Sequence, residues 1–164
     1  TVGKKKYADV QDEILELKAR SDKLQEKLLM MVEKDAEVFE PLSKAYGLPS
    51  GTEEEKAEKE CVMETVLKAA SEAPFGIMEL CMEAIDIVSR FSEIGSRIAI
   101  SDAGCAAACC RAALNAASLN VFINTKLMKD RTYAEEMNKR AEEMLELGNV
   151  KADAIFDTVK SGLM

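Results

Sequence analysis

Three groups of residues in this chain are equipped for chemistry, and none contains a histidine, because the sequence has none. The first is a single carboxylate, Asp35. It interrupts a helical seam that otherwise runs through Val10, Ile14, Leu17, Ser21, Leu24, Leu28, Met31, Val38 and Leu42. Spacings of three and four mark a helix that buries one stripe. A carboxylate on a buried stripe loses hydration, which raises its pKa unless a cation pairs with it. A carboxyl raised in this way serves as a general acid or base near neutral pH. The same spacing suits a structural ion pair, or a side chain turned to the rim.

The second group is Asn120 and Asn124, one turn apart. Together they carry two carbonyl acceptors and four N–H donors. That is enough to grip a planar heterocycle or to tie two helices into a polar network, the plainer use. Asparagine is disfavoured against alanine in a helix by up to about 0.7 kcal/mol, so two on one face are not filler. The third group is Lys4, Lys5 and Lys6 beside Tyr7, either an attractor for an anionic ligand or a solvated helix start. Asp102 shares a helical face with Asn120, but five turns at 1.5 Å per residue put them about 27 Å apart. One compact site cannot hold both from one copy of the helix, so two copies or two separate roles are needed.

Without histidine there is no Ser-His-Asp triad, no Cys-His pair and no histidine zinc site. Acid–base work falls to Asp, Glu, Lys, Tyr or Cys, and no metal site is expected. The net charge of −8 argues against nucleic acid as a partner. The five cysteines, Cys61, Cys81, Cys105, Cys109 and Cys110, include no CxxC pair. An odd count without disulfide spacing fits a reducing cytoplasm. These thiols are expected to pack as small buried groups rather than to act as a redox sensor. No uninterrupted apolar run reaches the ~20 residues of a membrane span, so no membrane association is expected, and no signal peptide is visible.

The elements that must position these groups are helices. Ala, Leu, Glu, Lys and Met dominate, and only three prolines and eight glycines interrupt. The first helix is expected over Tyr7 to Tyr46, with Leu15, Leu29, Met30, Val32 and Phe39 widening its apolar surface until most of its middle is buried. Gly47 takes a left-handed cap and Pro49 forbids continuation. Thr52 and Glu55 form a capping box for the second helix, which Pro74 kinks or restarts. Ser101 caps a third helix, rich in alanine and cysteine, running to about Lys126. Thr132 caps the last, which ends near Ser161-Gly162. The charge-rich run Glu53 to Glu60 reads as plain surface. The fold class is therefore all-α: one domain over residues 1–164, built as a bundle of long antiparallel helices.

Several ordered segments resemble one family. TVGKKKY at Thr1, EKDAEVF around Asp35, YGLP followed by EEEK, APFGIMEL at Pro74, and SDAG through NVFIN are similar to the cyclodeaminase family. That family comprises the C-terminal domain of formiminotransferase-cyclodeaminase and stand-alone bacterial relatives, some of them methenyltetrahydrofolate cyclohydrolases. The resemblance covers nearly the whole chain. It implies an all-helical homodimer with a tetrahydrofolate site in a cleft at the subunit interface, dimerising through helix faces. It implies conversion of 5-formimidoyltetrahydrofolate to 5,10-methenyltetrahydrofolate with release of ammonia, in histidine degradation. The alternative it offers is hydrolysis of 5,10-methenyl- to 10-formyltetrahydrofolate. The substrate is a tetrahydrofolate derivative and no metal is implied. The aspartate of the DAxxF segment, Asp35 here, is the implied catalytic residue. Lys4, Lys5, Tyr7, Phe39, Asp102, Asn120 and Asn124 are implied at the substrate. The family's N-terminal helix and its glycine-rich PGGGS start have no counterpart, since the sequence opens within the TVGKKKY motif. A cleft walled by that helix would be open on that side. A non-catalytic reading also stands: a helical scaffold that oligomerises through its small-residue helix.

Overall fold

A computed structural model covering residues 1–164 shows four long helices and no strand. A 3-10 turn, Lys5–Val10, leads into α1 (Gln11–Tyr46), followed by α2 (Glu53–Ile94), α3 (Ile100–Thr125) and α4 (Arg131–Ser161). Short connections make sequential helices antiparallel neighbours, and cross-helix pairs bear this out. At one end of α1 and α2, Lys59 Nζ donates to the Tyr46 and Leu48 carbonyls at 2.8 and 2.9 Å. At the other end, Arg90 of α2 holds Glu13 of α1. Between α3 and α4, Asn115 Nδ2 donates to Asn149 Oδ1 at 2.6 Å and Asn149 Nδ2 returns a bond at 3.3 Å.

The central core lies among α2, α3 and α4 around Phe75, Met78, Ile85, Leu114, Val121 and Ile155. Two smaller clusters lie beside it, and only these include α1: Leu42 with Leu67 and Ala70, and Leu17 and Leu24 with Ile87. The middle of α1 therefore has a neighbour on one side alone. Leu29, Met30, Val32 and Phe39 are 63%, 66%, 64% and 58% exposed, against the expectation of a helix buried on most of its circumference. Periodicity identifies the stripe that faces a neighbour. It does not say that further neighbours exist.

The capping box at Thr52 and Glu55 is formed, and α4 ends at Ser161. Gly47 is right-handed rather than left-handed (φ −81°, ψ −2°); the Lys59 ammonium on the carbonyls of Tyr46 and Leu48 closes this helix end. Ser101 is not a cap. The 3-10 turn Arg97–Ala99 feeds directly into α3, whose N-cap is Ala99 without a side-chain bond. The cap of α4 is Asp130, not Thr132, and its side chain accepts from the Tyr133 N–H at 3.1 Å. Lys68, which pairs with the same carboxylate, holds Asp130 below its ordinary pKa.

Pro74 does not restart α2, which runs continuously through it. Proline has no N–H, so it cannot serve the Ala70 carbonyl four residues earlier. Asn124 Nδ2 of α3 donates to that carbonyl instead, at 3.0 Å.

The small residues of α3 do allow close approach. A Cβ on Gly104 would lie 3.0 Å from Val159 Cγ1 of α4. They also raise its mean hydropathy, and over an 18-residue window Arg97–Thr125 reaches 1.4, in the range of a membrane span. This departs from the expectation drawn from uninterrupted runs. The helix nevertheless gives Leu114 and Val121 to the central core, and its other face is open. Burial of the cysteines holds for Cys81 alone, whose thiol burial pushes up to about 11. Cys110 is half-buried and Cys61 of α2 is exposed; Cys105 and Cys109 are exposed because α3 turns its thin outer face away from α2 and α4.

Candidate active site

One cleft collects four of the residues singled out by type and spacing. α1 contributes Asp35 and Phe39, one turn apart, and α3 contributes Asn120 and Asn124, also one turn apart. Val38, Leu42 and Ala70 form its apolar floor, Tyr46 and Ile123 its edges, and its volume is about 200 Å³. The 3-4 register of each helix sets the two pairs facing one another across the groove where α1 and α3 both lie on α2.

Asp35 is exposed here, so the loss of hydration expected on a buried seam does not occur within one chain. The ion pairs of α1 are Lys18–Asp22 and Lys44–Glu40 along the helix, and Arg20–Glu83, Lys27–Glu83 and Glu13–Arg90 across to α2. Asp35 belongs to none of them, which removes the structural ion pair as its role. Asn124 makes the interhelical bond expected of a polar network, through Ala70. Asn120 does not: its Nδ2 turns back to the Ala116 carbonyl of its own helix at 3.4 Å.

The other residues gather at the far end of α3. Asp102, exposed in its first turn, borders a second cleft of about 230 Å³ with Thr1, Phe91 and Ser96. The Ser96 N–H donates to Thr1 Oγ1 at 3.0 Å, and the Arg97 N–H donates to the Tyr7 hydroxyl at 3.4 Å. Hydrogen bonding to Ser96 and then to the Arg97 backbone, aided by the Lys6 and Lys4 charges, holds the Tyr7 phenol below its ordinary pKa. Lys4 and Lys5 are exposed beside it. Lys4, Lys5, Tyr7 and Asp102 thus stand apart from the Asp35 cleft, as the helical distance from Asp102 to Asn120 requires. Each cleft is smaller than the ~300–1,000 Å³ of a typical ligand site.

Two features of the site were not read from the sequence. One is the Ala70 carbonyl that Asn124 holds beside the cleft, whose signal was Pro74 inside an apolar helical run. The other is a recess of about 230 Å³ that shares Tyr46 with the Asp35 cleft and is bordered by Lys56, Lys59 and Lys129. One wall comes from the Glu53 to Glu60 run taken as plain surface. Its lysines are engaged, Lys56 with Glu53, Lys129 with Glu60 and Lys59 with two carbonyls. No three acidic or thiol side chains converge with metal-ligand geometry.

The family model described as formiminotransferase-cyclodeaminase matches residues 1–143. A methenyltetrahydrofolate cyclohydrolase from Methylorubrum extorquens is 38% identical over 161 residues, covering 98% of this chain and 77% of that protein. The formimidoyltransferase-cyclodeaminase of Mus musculus is 25% identical over 134 residues, which are 82% of this chain but only 25% of that protein. Among solved structures, formiminotetrahydrofolate cyclodeaminase from Thermotoga maritima superposes with a TM-score of 0.75 at 27% identity, covering 97% of this chain and 73% of that one.

Proposed function

The chain belongs to the formiminotransferase-cyclodeaminase family, and on that premise we propose that it is a folate-dependent one-carbon enzyme that hydrolyses 5,10-methenyltetrahydrofolate to 10-formyltetrahydrofolate. The observation that carries this reading is the likeness to the Methylorubrum cyclohydrolase along nearly the whole chain.

The Asp35 cleft suits the chemistry. The methenyl carbon lies between N5 and N10 in a cationic amidinium, and Asp35 offers an anionic group that no cation of its own chain pairs with. Water adds to that carbon, and a base must take the proton the water loses. The bond from carbon to N5 then breaks, and N5 must gain a proton. One carboxylate accepting from water and returning that proton to N5 meets both needs, and the remaining hydroxyl proton leaves to solvent as the formyl C=O forms, the net proton of the hydrolysis. The Asn120 and Asn124 amides orient the heterocycle, Phe39 gives it an apolar face, and Lys4 and Lys5 suit an anionic glutamate tail.

A second reading is cyclodeamination of 5-formimidoyltetrahydrofolate, in which N10 attacks the formimidoyl carbon and the departing amine is protonated by the same carboxyl. The likeness to the Thermotoga cyclodeaminase favours it. Assaying the purified protein with both substrates separates them. The first reading expects loss of the methenyl chromophore without ammonia; ammonia released from the formimidoyl substrate at the faster rate reverses the order. If neither substrate turns over and calorimetry with tetrahydrofolate shows no heat, the oligomerisation scaffold is what remains.

We further propose a homodimer in which the Lys4–Asp102 end of one copy closes the Asp35–Asn120 cleft of the other. The small clefts at opposite ends of α3 support it, as does the open face of α3 at the Asp35 cleft, where Leu119 and Ile123 are 68% and 61% exposed. Light scattering should give twice the 18.0 kDa chain mass. Cys61 should label at once with a thiol reagent, while Cys105 and Cys109, exposed in one chain, should label only after dissociation. A monomer in solution, or prompt labelling at all three, would count against this assembly.

A further inference from the structure

Pro74 lies buried within the 42 residues of α2, where proline is the least favourable residue. Its consequence is local and specific. The carbonyl it leaves without a helix donor belongs to Ala70, which is 4% exposed and so poorly placed to be served by water. A buried carbonyl without a donor is costly, and Asn124 Nδ2 meets it at 3.0 Å. This is the one side-chain hydrogen bond that α3 makes to α2.

That bond fixes which way the amide faces. With Nδ2 committed to α2, Oδ1 points along the other branch of the amide and has no partner in the chain. Asn124 borders the cleft beside Asp35 and Asn120. The Asn120 amide likewise spends an N–H on its own helix, at Ala116. Together with the Asp35 carboxylate, the polar groups open to the cleft are mainly acceptors. Such a rim receives a ligand edge that carries N–H donors or positive charge, and disfavours a carboxylate or phosphate.

We infer that Pro74 is a positioning residue for this cleft: by withholding its N–H from Ala70 it recruits Asn124 and turns Oδ1 outward as an acceptor for an N–H-bearing edge of the ligand. The choice of edge rests on the folate reading above, in which the 2-amino-4-oxopyrimidine ring supplies adjacent N–H donors. The coupling of Pro74 to Asn124 stands without it.

Pro74→Ala restores a backbone N–H to Ala70 with a strong helix former, so this variant keeps its fold. The test is a melting-temperature cycle of Pro74→Ala, Asn124→Ala and the double variant, with steady-state kinetics on Pro74→Ala. Asn124→Ala should lower the melting temperature by about 5 °C when Pro74 is present and by less than half as much when residue 74 is alanine. Equal losses in the two backgrounds overturn the coupling. In turnover of 5,10-methenyltetrahydrofolate, Pro74→Ala should raise KM about tenfold and change kcat by less than twofold, since Asp35 is untouched. An unchanged KM overturns the positioning role while leaving the folate reading intact. If the wild-type chain turns over no folate, that reading fails alone, and the melting cycle still decides the coupling.

Discussion

Asp35→Asn is expected to lower turnover of 5,10-methenyltetrahydrofolate by about 10²- to 10⁴-fold, the usual contribution of a positioned general base, and to leave the fold unchanged. The two halves of this expectation have separate grounds. Asp35 is exposed and belongs to no ion pair of α1. Surface substitutions of that kind fall within about 0.5 kcal/mol in stability, so thermal melts of the variant and wild type should superpose. Function is different, because asparagine keeps the shape of aspartate and loses both its charge and its ability to take a proton. The cationic amidinium would then meet three amide or neutral groups rather than a carboxylate. If Asp35 only attracts the cation, KM rises and kcat holds. If it moves the proton, kcat and kcat/KM fall together. Wild-type kinetics in Asp35→Asn would remove it from the site.

Asp35 marks the boundary between what the sequence discloses here and what it withholds. The polar interruption of the α1 seam was visible in the spacing, and so was the Asn120–Asn124 pair, because a 3.6-residue period is a local property. Their meeting in one cleft was not. It follows from how α1 and α3 each lie on α2, which no single-helix pattern encodes. The burial expected of Asp35 was wrong for the same reason. A seam records that a face meets a neighbour somewhere along 36 residues, and here that neighbour covers α1 on one side alone and leaves Asp35 exposed.

The helix boundaries divide along similar lines. The capping box at Thr52 and the end of α4 at Ser161 rest on contiguous residues and were legible. The caps at Ala99 and Asp130 depend on the preceding turn and on the Lys68–Asp130 pair, so reading the nearest serine or threonine misplaced them. Pro74 does not stop α2 as the local rule expects. Its effect on α2 is settled by an asparagine 50 residues later on another helix.

Gly148→Ala is expected to destabilise the protein by about 1–3 kcal/mol, the range for overpacking a closed core, or about 2–4 °C in melting temperature per kcal/mol for a chain of this size. On an exposed helix the same substitution would stabilise by about 1 kcal/mol; the sign reverses because α4 crosses α2 and α3 at this glycine. A Cβ there would overlap Leu114 Cδ2 and lie 2.7 Å from Met82 Sδ, with Ile85 Cδ1 at 3.5 Å. Leu114 and Ile85 are both wholly buried, so neither has free space to move into. Nor can α4 shift outward without loss, because the Asn115–Asn149 amide pair ties it to α3 at the same level. Leu114→Ala alone should cost about 2–5 kcal/mol through the cavity it leaves. Combined with Gly148→Ala, it removes the atom that obstructs the new methyl, which then fills part of that cavity. The double variant should therefore be more stable than the sum of the singles by an amount outside the additivity of distant sites, about 0.5 kcal/mol. Denaturant midpoints for the four chains measure this directly. Simple additivity would mean that Gly148 is not where α4 meets Leu114, and that the close crossing which holds α3 against the bundle, and with it the far wall of the Asp35 cleft, lies elsewhere.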